Sequence, residues 1–220
     1  TESLRGFGYS AETAIADIID NSITAKAKNV FVNVALAASE PFISILDDGE
    51  GMDEETLREA MRLGSQNPLI PRHAADLGRF GLGLKTASFS QARSLTVASK
   101  RRGGTVSVRR WDLDFLADSK GQWRLLKSVP DYAEEHVERL TKMDSGTIVL
   151  WSKLDRVRPR HSGSGGGAKS QLLMEQLEHH LAMVFHRYLE GTQPRFRLNV
   201  NEAKIRPWDP FLSSHSACRP

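Results

Sequence analysis

The chain has 220 residues, 40% hydrophobic and 26% charged, which excludes wholesale disorder and fits one large domain or two small ones. No run approaches the roughly 18 consecutive apolar residues of a membrane helix, and Thr1-Glu2-Ser3-Leu4-Arg5 lacks the apolar core of a secretion signal. No membrane partner and a cytoplasmic location are therefore expected, and the lone Cys218, which offers neither an internal disulfide nor a zinc cluster, fits a reducing cytosol. The net charge of +3 permits contact with nucleic acid without requiring it. Its distribution is uneven: residues 40–59 hold eight acids against Arg58 alone, while residues 93–110 hold six bases and no acid.

From Ala11 to Ala27 the residues Ala14, Ile15, Ile18, Ile19 and Ile23 recur at helical spacing behind Ser10, a suitable N-cap. Alternation over Asn29–Leu36 and a β-rich run over Phe42–Leu46 predict two strands, the second ending in the turn Asp47-Asp48-Gly49-Glu50-Gly51. A second helix is expected over Asp53–Leu63, capped by Asp53. Residues 64–83 contain two prolines and several glycines with little periodicity, so a long mobile loop is expected before a helix over Leu84–Ala92. Strands follow at 94–100, 104–111, 122–127 and 146–151, with a short helix near 131–141 and a flexible insertion at about 155–169 around Ser162–Gly167. The last strong helix spans about Gln171–Glu190, burying Leu173, Leu177, Leu181, Val184, Phe185 and Tyr188, before a hairpin built on Phe196, Leu198 and Val200. Helices and antiparallel-type strands without βαβ alternation give an α+β class, with helices on one face of a mixed sheet.

Three segments carry chemistry. Asp17 and Asn21 stand at i and i+4 on the first helix, so they share a face. A carboxylate beside a carboxamide there can orient a water and hold Mg²⁺ through oxygen. An Asp and an Asn at this spacing are as a rule only a solvated face. Asp47-Asp48-Gly49-Glu50-Gly51-Met52 allows close backbone approach to a planar ligand, with a carboxylate to accept from an exocyclic amine. It lacks the spacing of a calcium loop. Gly78-Arg79-Phe80-Gly81-Leu82-Gly83-Leu84-Lys85 has the order G-x-x-G-x-G and opens a helix, whose N–H groups suit phosphate oxygens, with Lys85 as a point charge. The G-x-x-x-x-G-K-[ST] of a P-loop is absent.

Taken in order, these segments resemble the GHKL superfamily of ATPases, closest to its Microrchidia-like branch and bacterial relatives. Ala14–Ser22 is similar to the family's N box, Asp47-x-Gly49-x-Gly51-Met52 to its first glycine box, Gly78–Gly83 to its second, and Ser145-Gly146-Thr147 to its last adenine-site motif. The resemblance implies a Bergerat fold, a two-layer sandwich with a mobile ATP lid, over residues 1–192. Residues 193–220 are then a terminal hairpin and the start of a truncated following domain.

It also implies ATP and Mg²⁺ as ligands, with Asp17 as the catalytic base and Asn21 as the metal ligand. Nucleotide contacts are implied for Asn21, Ala25, Asp47, Gly49, Gly51, Met52, Gly78, Arg79, Phe80, Gly81, Leu82, Gly83, Lys85 and Thr147. An ATP-dependent homodimer is implied, with DNA or other protein subunits as targets.

One departure stands out. The hydrolysing branches carry Glu where this chain has Asp17, which withdraws the base by about 1.5 Å, and misplacement of that order can cost roughly 10²-fold in rate. A slow ATPase switch in DNA manipulation or bacterial defence is the leading expectation. A nucleotide sensor with little hydrolysis, a chaperone and a histidine-kinase-like phosphotransferase stay open. His179, His186 and Glu175, which could share a helix face, read as solvated surface and not as a metal site.

Overall fold

The computed structural model describes residues 5, 8–62, 83–118, 124–157, 166–211 and 216, with the backbone alone for 166–169. Among the described residues, seven strands form one mixed sheet in the order β4-β3-β5-β2-β1-β6-β7. They are β1 (Asn29–Ala35), β2 (Phe42–Asp47), β3 (Ala92–Lys100), β4 (Ser107–Asp112), β5 (Gly146–Leu154), β6 (Arg197–Val200) and β7 (Ala203–Lys204). Only β1 and β6 run parallel; every other neighbouring pair is antiparallel.

The helices are α1 (Ala11–Thr24), α2 (Glu54–Met61), α3 (Gly83–Gln91), α4 (Leu113–Asp118), α5 (Glu134–Thr141), α6 (Gly166–Val184) and α7 (His186–Leu189). Both expected caps form: Ser10 Oγ accepts from Thr13 N–H, and Asp53 Oδ1 accepts from Thr56 N–H.

The two-residue side-chain period of a strand assigns the sheet's faces. Ile43 and Ile45 of β2, Leu95 and Val97 of β3, and Val149 and Trp151 of β5 share the main core with Ala14, Ile15, Ile18 and Ile19 of α1. Alternate residues Leu46, Ala98 and Ile148 meet Leu140 of α5 in a smaller cluster. The expected α+β sandwich is thus present, and α5 adds cover to the opposite face.

Four local expectations change. The strand foreseen at 122–127 is a single bridge, Arg110 to Leu126, within the described part of that segment. α4 had no periodicity to reveal it; it starts because Asp112 Oδ1 accepts from the N–H groups of Asp114 and Phe115. α6 begins at Gly166, inside the glycine run, and ends at Val184 with α7 following. Val184 is exposed because the chain leaves α-helical geometry at Phe185, whereas Phe185 and Leu189 turn into the core.

Candidate functional site

The site lies where α1, the ends of β2 and β5, and the start of α3 converge around a cavity of about 250 Å³. Asn21, Ala25, Asp47, Gly51, Met52, Gly83 and Thr147 line it, so α1, both strand ends and α3 each contribute an expected residue. Ile18, Val97, Leu84 and Val149 supply apolar walls that suit a flat ring, and Ser22 and Ala60 complete the lining. Gly78, Arg79, Phe80, Gly81 and Leu82, with the lid at 64–82, fall outside the described residues, as do residues 158–165 of the expected insertion.

Asp47 terminates β2 and is almost wholly buried. Its Oδ1 accepts from Gly49 N–H at 2.9 Å and its Oδ2 from Ser22 O–H at 2.9 Å. Burial pushes the carboxyl up to about 6, against the lowering effect of hydrogen bonds from Gly49 N–H, Ser22 O–H and Thr147 N–H. A carboxylate offers about four acceptor sites. Gly49 N–H and Ser22 O–H take two of them, and Asp47 lines the cavity, so acceptor capacity remains for a donor there.

The glycines of the turn are required by packing. A Cβ on Gly51, whose φ is +65°, would lie 1.9 Å from the Lys100 carbonyl oxygen. One on Gly49 would lie 2.8 Å from the carbonyl oxygen of Ala25, the C-cap of α1. That same carbonyl accepts from Glu50 N–H at 2.9 Å, so the turn and the helix end are joined directly. Asp48 faces away from this work: its carboxylate accepts from Lys28 N–H, Asn29 N–H and the Asn29 side chain, fixing the start of β1.

On α1, Asn21 is exposed and its Nδ2 donates to the Asp17 carbonyl at 3.1 Å, which leaves Oδ1 available. A hard carboxamide oxygen left available at the cavity rim fits Mg²⁺, which binds through few protein oxygens plus phosphates. Among the described residues, no group of three or more His, Cys, Asp or Glu gathers as an alternative metal site. Asp17 is half-buried, and burial raises its pKa against the lowering effect of the nearby Tyr9 hydroxyl. Asp20 is pushed up to about 6 by burial and by the charge of Asp17. Thr24 spends its hydroxyl on the Asp20 carbonyl at 2.9 Å.

Lys85 lies elsewhere than on the cavity wall. Its side chain is fully buried, and Nζ donates to the carbonyls of Ala60 at 2.8 Å and Arg62 at 2.6 Å, at the end of α2. Burial lowers its pKa to about 8. The histidines are likewise occupied: the His179 ring packs 4.4 Å from Trp208 and the His186 ring 6.1 Å from Phe211. The acid-rich and base-rich runs meet each other, through Glu54 with Arg109 at 2.7 Å and Asp53 with Arg101 at 3.2 Å.

Sequence reasoning missed Tyr9, Ser22 and Ser99. Ser22 follows Asn21 directly, and its i+1 placement turns it from the exposed face toward β2, a signal that was present in the helical period. Ser99 acts through a pairing between distant segments and left no local signature, and Tyr9 stands ahead of the N-cap, outside the helical period.

A helix bearing Asp17 and Asn21 beside a buried, glycine-flanked carboxylate and a strand-end threonine matches the arrangement that the resemblance implies for a nucleotide site of the Bergerat type. Residues 9–147 match the family model described as "Histidine kinase-, DNA gyrase B-, and HSP90-like ATPase". The chain belongs to this family and is an ATP-binding GHKL ATPase domain. It is also similar to the ATPase morc-1 of Caenorhabditis elegans, 31% identical over 91 residues, a match covering 41% of this chain and 10% of that protein. Among the described residues no helix is long and apolar enough to cross a membrane.

Proposed function

We propose that this domain binds Mg-ATP in the α1–β2–β5 cavity and hydrolyses it slowly as a conformational switch. The observation that carries the reading is Asp47, a buried carboxylate held by Ser22 O–H and Gly49 N–H that lines an apolar-walled cavity with acceptor capacity to spare. Such a site accepts the exocyclic amine of adenine. Thr147 supplies a second contact beside it, and Ala25, Gly51 and Met52 the close approach of backbone to the ring.

The triphosphate then extends toward Gly83 and the N–H groups that open α3, where a helix N-terminus favours negative charge. Residues 78–82 complete that end of the site in this reading, while Lys85 supports it from behind by holding the end of α2. Asn21 holds Mg²⁺ through Oδ1, and the bound ion supplies neutralisation of phosphate charge. Asp17 accepts a proton from the attacking water as the new oxygen–phosphorus bond forms and the bond to the ADP oxygen breaks, giving ADP and phosphate. The raised Asp17 pKa makes it a stronger base than a free aspartate.

The switch consists of ordering around the γ-phosphate that favours a homodimer and is released on hydrolysis. Its target is DNA or another protein subunit, in DNA manipulation or bacterial defence, and its setting is cytoplasmic. The similarity to the ATPase morc-1 supports the ATPase activity at the centre of this role. One observation favours a second reading, binding with almost no turnover: the base is the shorter carboxylate, Asp17.

Phosphate release by wild type, Asp17→Glu and Asp17→Ala decides between the two. Slow release lost about 10²-fold or more in Asp17→Ala supports hydrolysis. Release insensitive to Asp17→Ala removes Asp17 as the base, and a rate raised by Asp17→Glu identifies the short side chain as a brake.

A further inference from the structure

Ser99 lies on β3 with no solvent exposure, behind the wall of the cavity and outside its lining. Its hydroxyl has three partners. Met52 N–H donates to Ser99 Oγ at 2.7 Å, the Gly146 carbonyl lies 3.1 Å from it, and the Thr147 hydroxyl lies 2.8 Å from it.

A serine hydroxyl has one proton and two acceptor lone pairs. Met52 N–H takes one lone pair. The Gly146 carbonyl can only accept, so it takes the proton. The contact with Thr147 is then satisfied in one direction alone, with Thr147 donating to Ser99. Thr147, whose side chain borders the cavity, has thereby spent its proton and faces the ligand as an acceptor.

From this we infer that Ser99 is a specificity-determining positioning residue, which sets the polarity of Thr147 and so helps the site read a six-amino purine against a six-oxo purine. The inference rests on the adenine-nucleotide reading above and adds the residue that fixes its hydrogen-bond polarity. Asp47 supplies one acceptor at this end of the cavity and Ser99 makes Thr147 a second. A 6-oxo group, itself an acceptor, meets both without a proton between them, and unmatched buried polar groups are what confer strong discrimination. The same hydroxyl ties Met52, at the end of the first glycine turn, to the Gly146-Thr147 end of β5, so polarity and geometry are set by one atom.

The test is calorimetric binding of Mg-ATP and Mg-ITP to wild type, Ser99→Ala, Thr147→Val and the double variant, with thermal melting of each. In Ser99→Ala the Thr147 proton is free to turn into the cavity, so the ATP-to-ITP preference is expected to fall about tenfold, the worth of roughly one hydrogen bond. In the Thr147→Val background, Ser99→Ala is expected to leave the preference unchanged, because its effect runs through that hydroxyl. A merely structural serine would weaken both nucleotides alike.

If Ser99→Ala does not melt cooperatively, Ser99→Cys carries the test, since a thiol is a poor partner for Thr147 and the preference should still fall. A wild-type preference that survives in every folded Ser99 variant overturns the inference while leaving ATP binding intact. Absence of ATP binding by folded wild type overturns the nucleotide reading itself and the inference with it.

Discussion

Ser22 Oγ donates to Asp47 Oδ2 at 2.9 Å, joining the middle sheet to the helix that carries Asn21 one residue earlier. The two are 25 residues apart in sequence and both buried. Any shift of α1 along its axis therefore moves the metal-side amide and the base-side carboxylate together. Removing the hydroxyl leaves Asp47 with one donor fewer in a buried setting. Ser22→Ala is expected to cost about 1–2 kcal/mol of stability in urea unfolding and to weaken ATP several-fold. Unchanged stability and affinity would show that the contact carries no energy.

Asp47 also sets a pH dependence. Its folded pKa, raised to about 6 by burial, exceeds the ordinary carboxyl value of 3.8, so between these values the folded state holds more protons than the unfolded one. This group's contribution to stability therefore increases as pH falls from about 6 to 3.8 and is lost as pH rises through that window. Nucleotide affinity runs the other way, because an amine donor needs the ionised carboxylate. ATP binding is expected to decline as pH drops below about 6. Asp20 titrates near the same pH, so the measurement is made in Asp20→Asn as well, where the decline should persist. Its disappearance there would assign the titration to Asp20.

Gly51 and Gly146 both place backbone where a side chain cannot go. A Cβ on Gly146, at φ +151°, would sit 2.2 Å from the Asp47 carbonyl oxygen, and Gly51 is tighter still against Lys100. Gly51→Ala and Gly146→Ala are each expected to lose about 3 kcal/mol by chemical denaturation. Gly83→Ala, whose Cβ meets nothing within 4 Å among the described residues, serves as the tolerated comparison. Equal losses at all three positions would contradict the packing explanation.

Lys85 gives the fourth test. Its ammonium satisfies two carbonyls at the end of α2, so Lys85→Met is expected to destabilise the fold by about 1–3 kcal/mol near neutral pH, as buried acceptors lose their donor. Its folded pKa near 8 lies below the ordinary 10.5. Between those values the folded state binds fewer protons than the unfolded, so the lysine's contribution to stability grows as pH rises through the window. The gap between wild type and Lys85→Met, followed by urea unfolding at pH 8 and pH 10, should move in that sense. A gap that is constant with pH would contradict the buried, depressed lysine.

Local patterns made α1, β1, β2 and the position of Asp47 legible in the sequence, because period and turn chemistry are encoded within a few residues. The lining of the cavity by Asn21, Ala25, Asp47, Gly51, Met52, Gly83 and Thr147 followed from motif order. What local patterns did not disclose depends on partners remote in the chain. Lys85 reads as a charge beside a glycine segment, yet two carbonyls some 23 and 25 residues away draw it inward. Ser99 is one small residue in a β-rich run, and its role exists only because β3 pairs with β5 in a register that sets it beside Thr147. The charge runs looked like separate patches, and their meeting through Glu54 and Arg109 is a product of the α2–β4 contact.

Calorimetric titration of Mg-ATP into folded wild type and Asp47→Ala tests the central claim most directly. Saturable one-site binding by wild type, lost or weakened at least a hundredfold in an Asp47→Ala variant that still melts cooperatively, is the expected result. Absence of binding by wild type, or equal binding by the two proteins, would contradict the assignment of this cavity to adenine nucleotide.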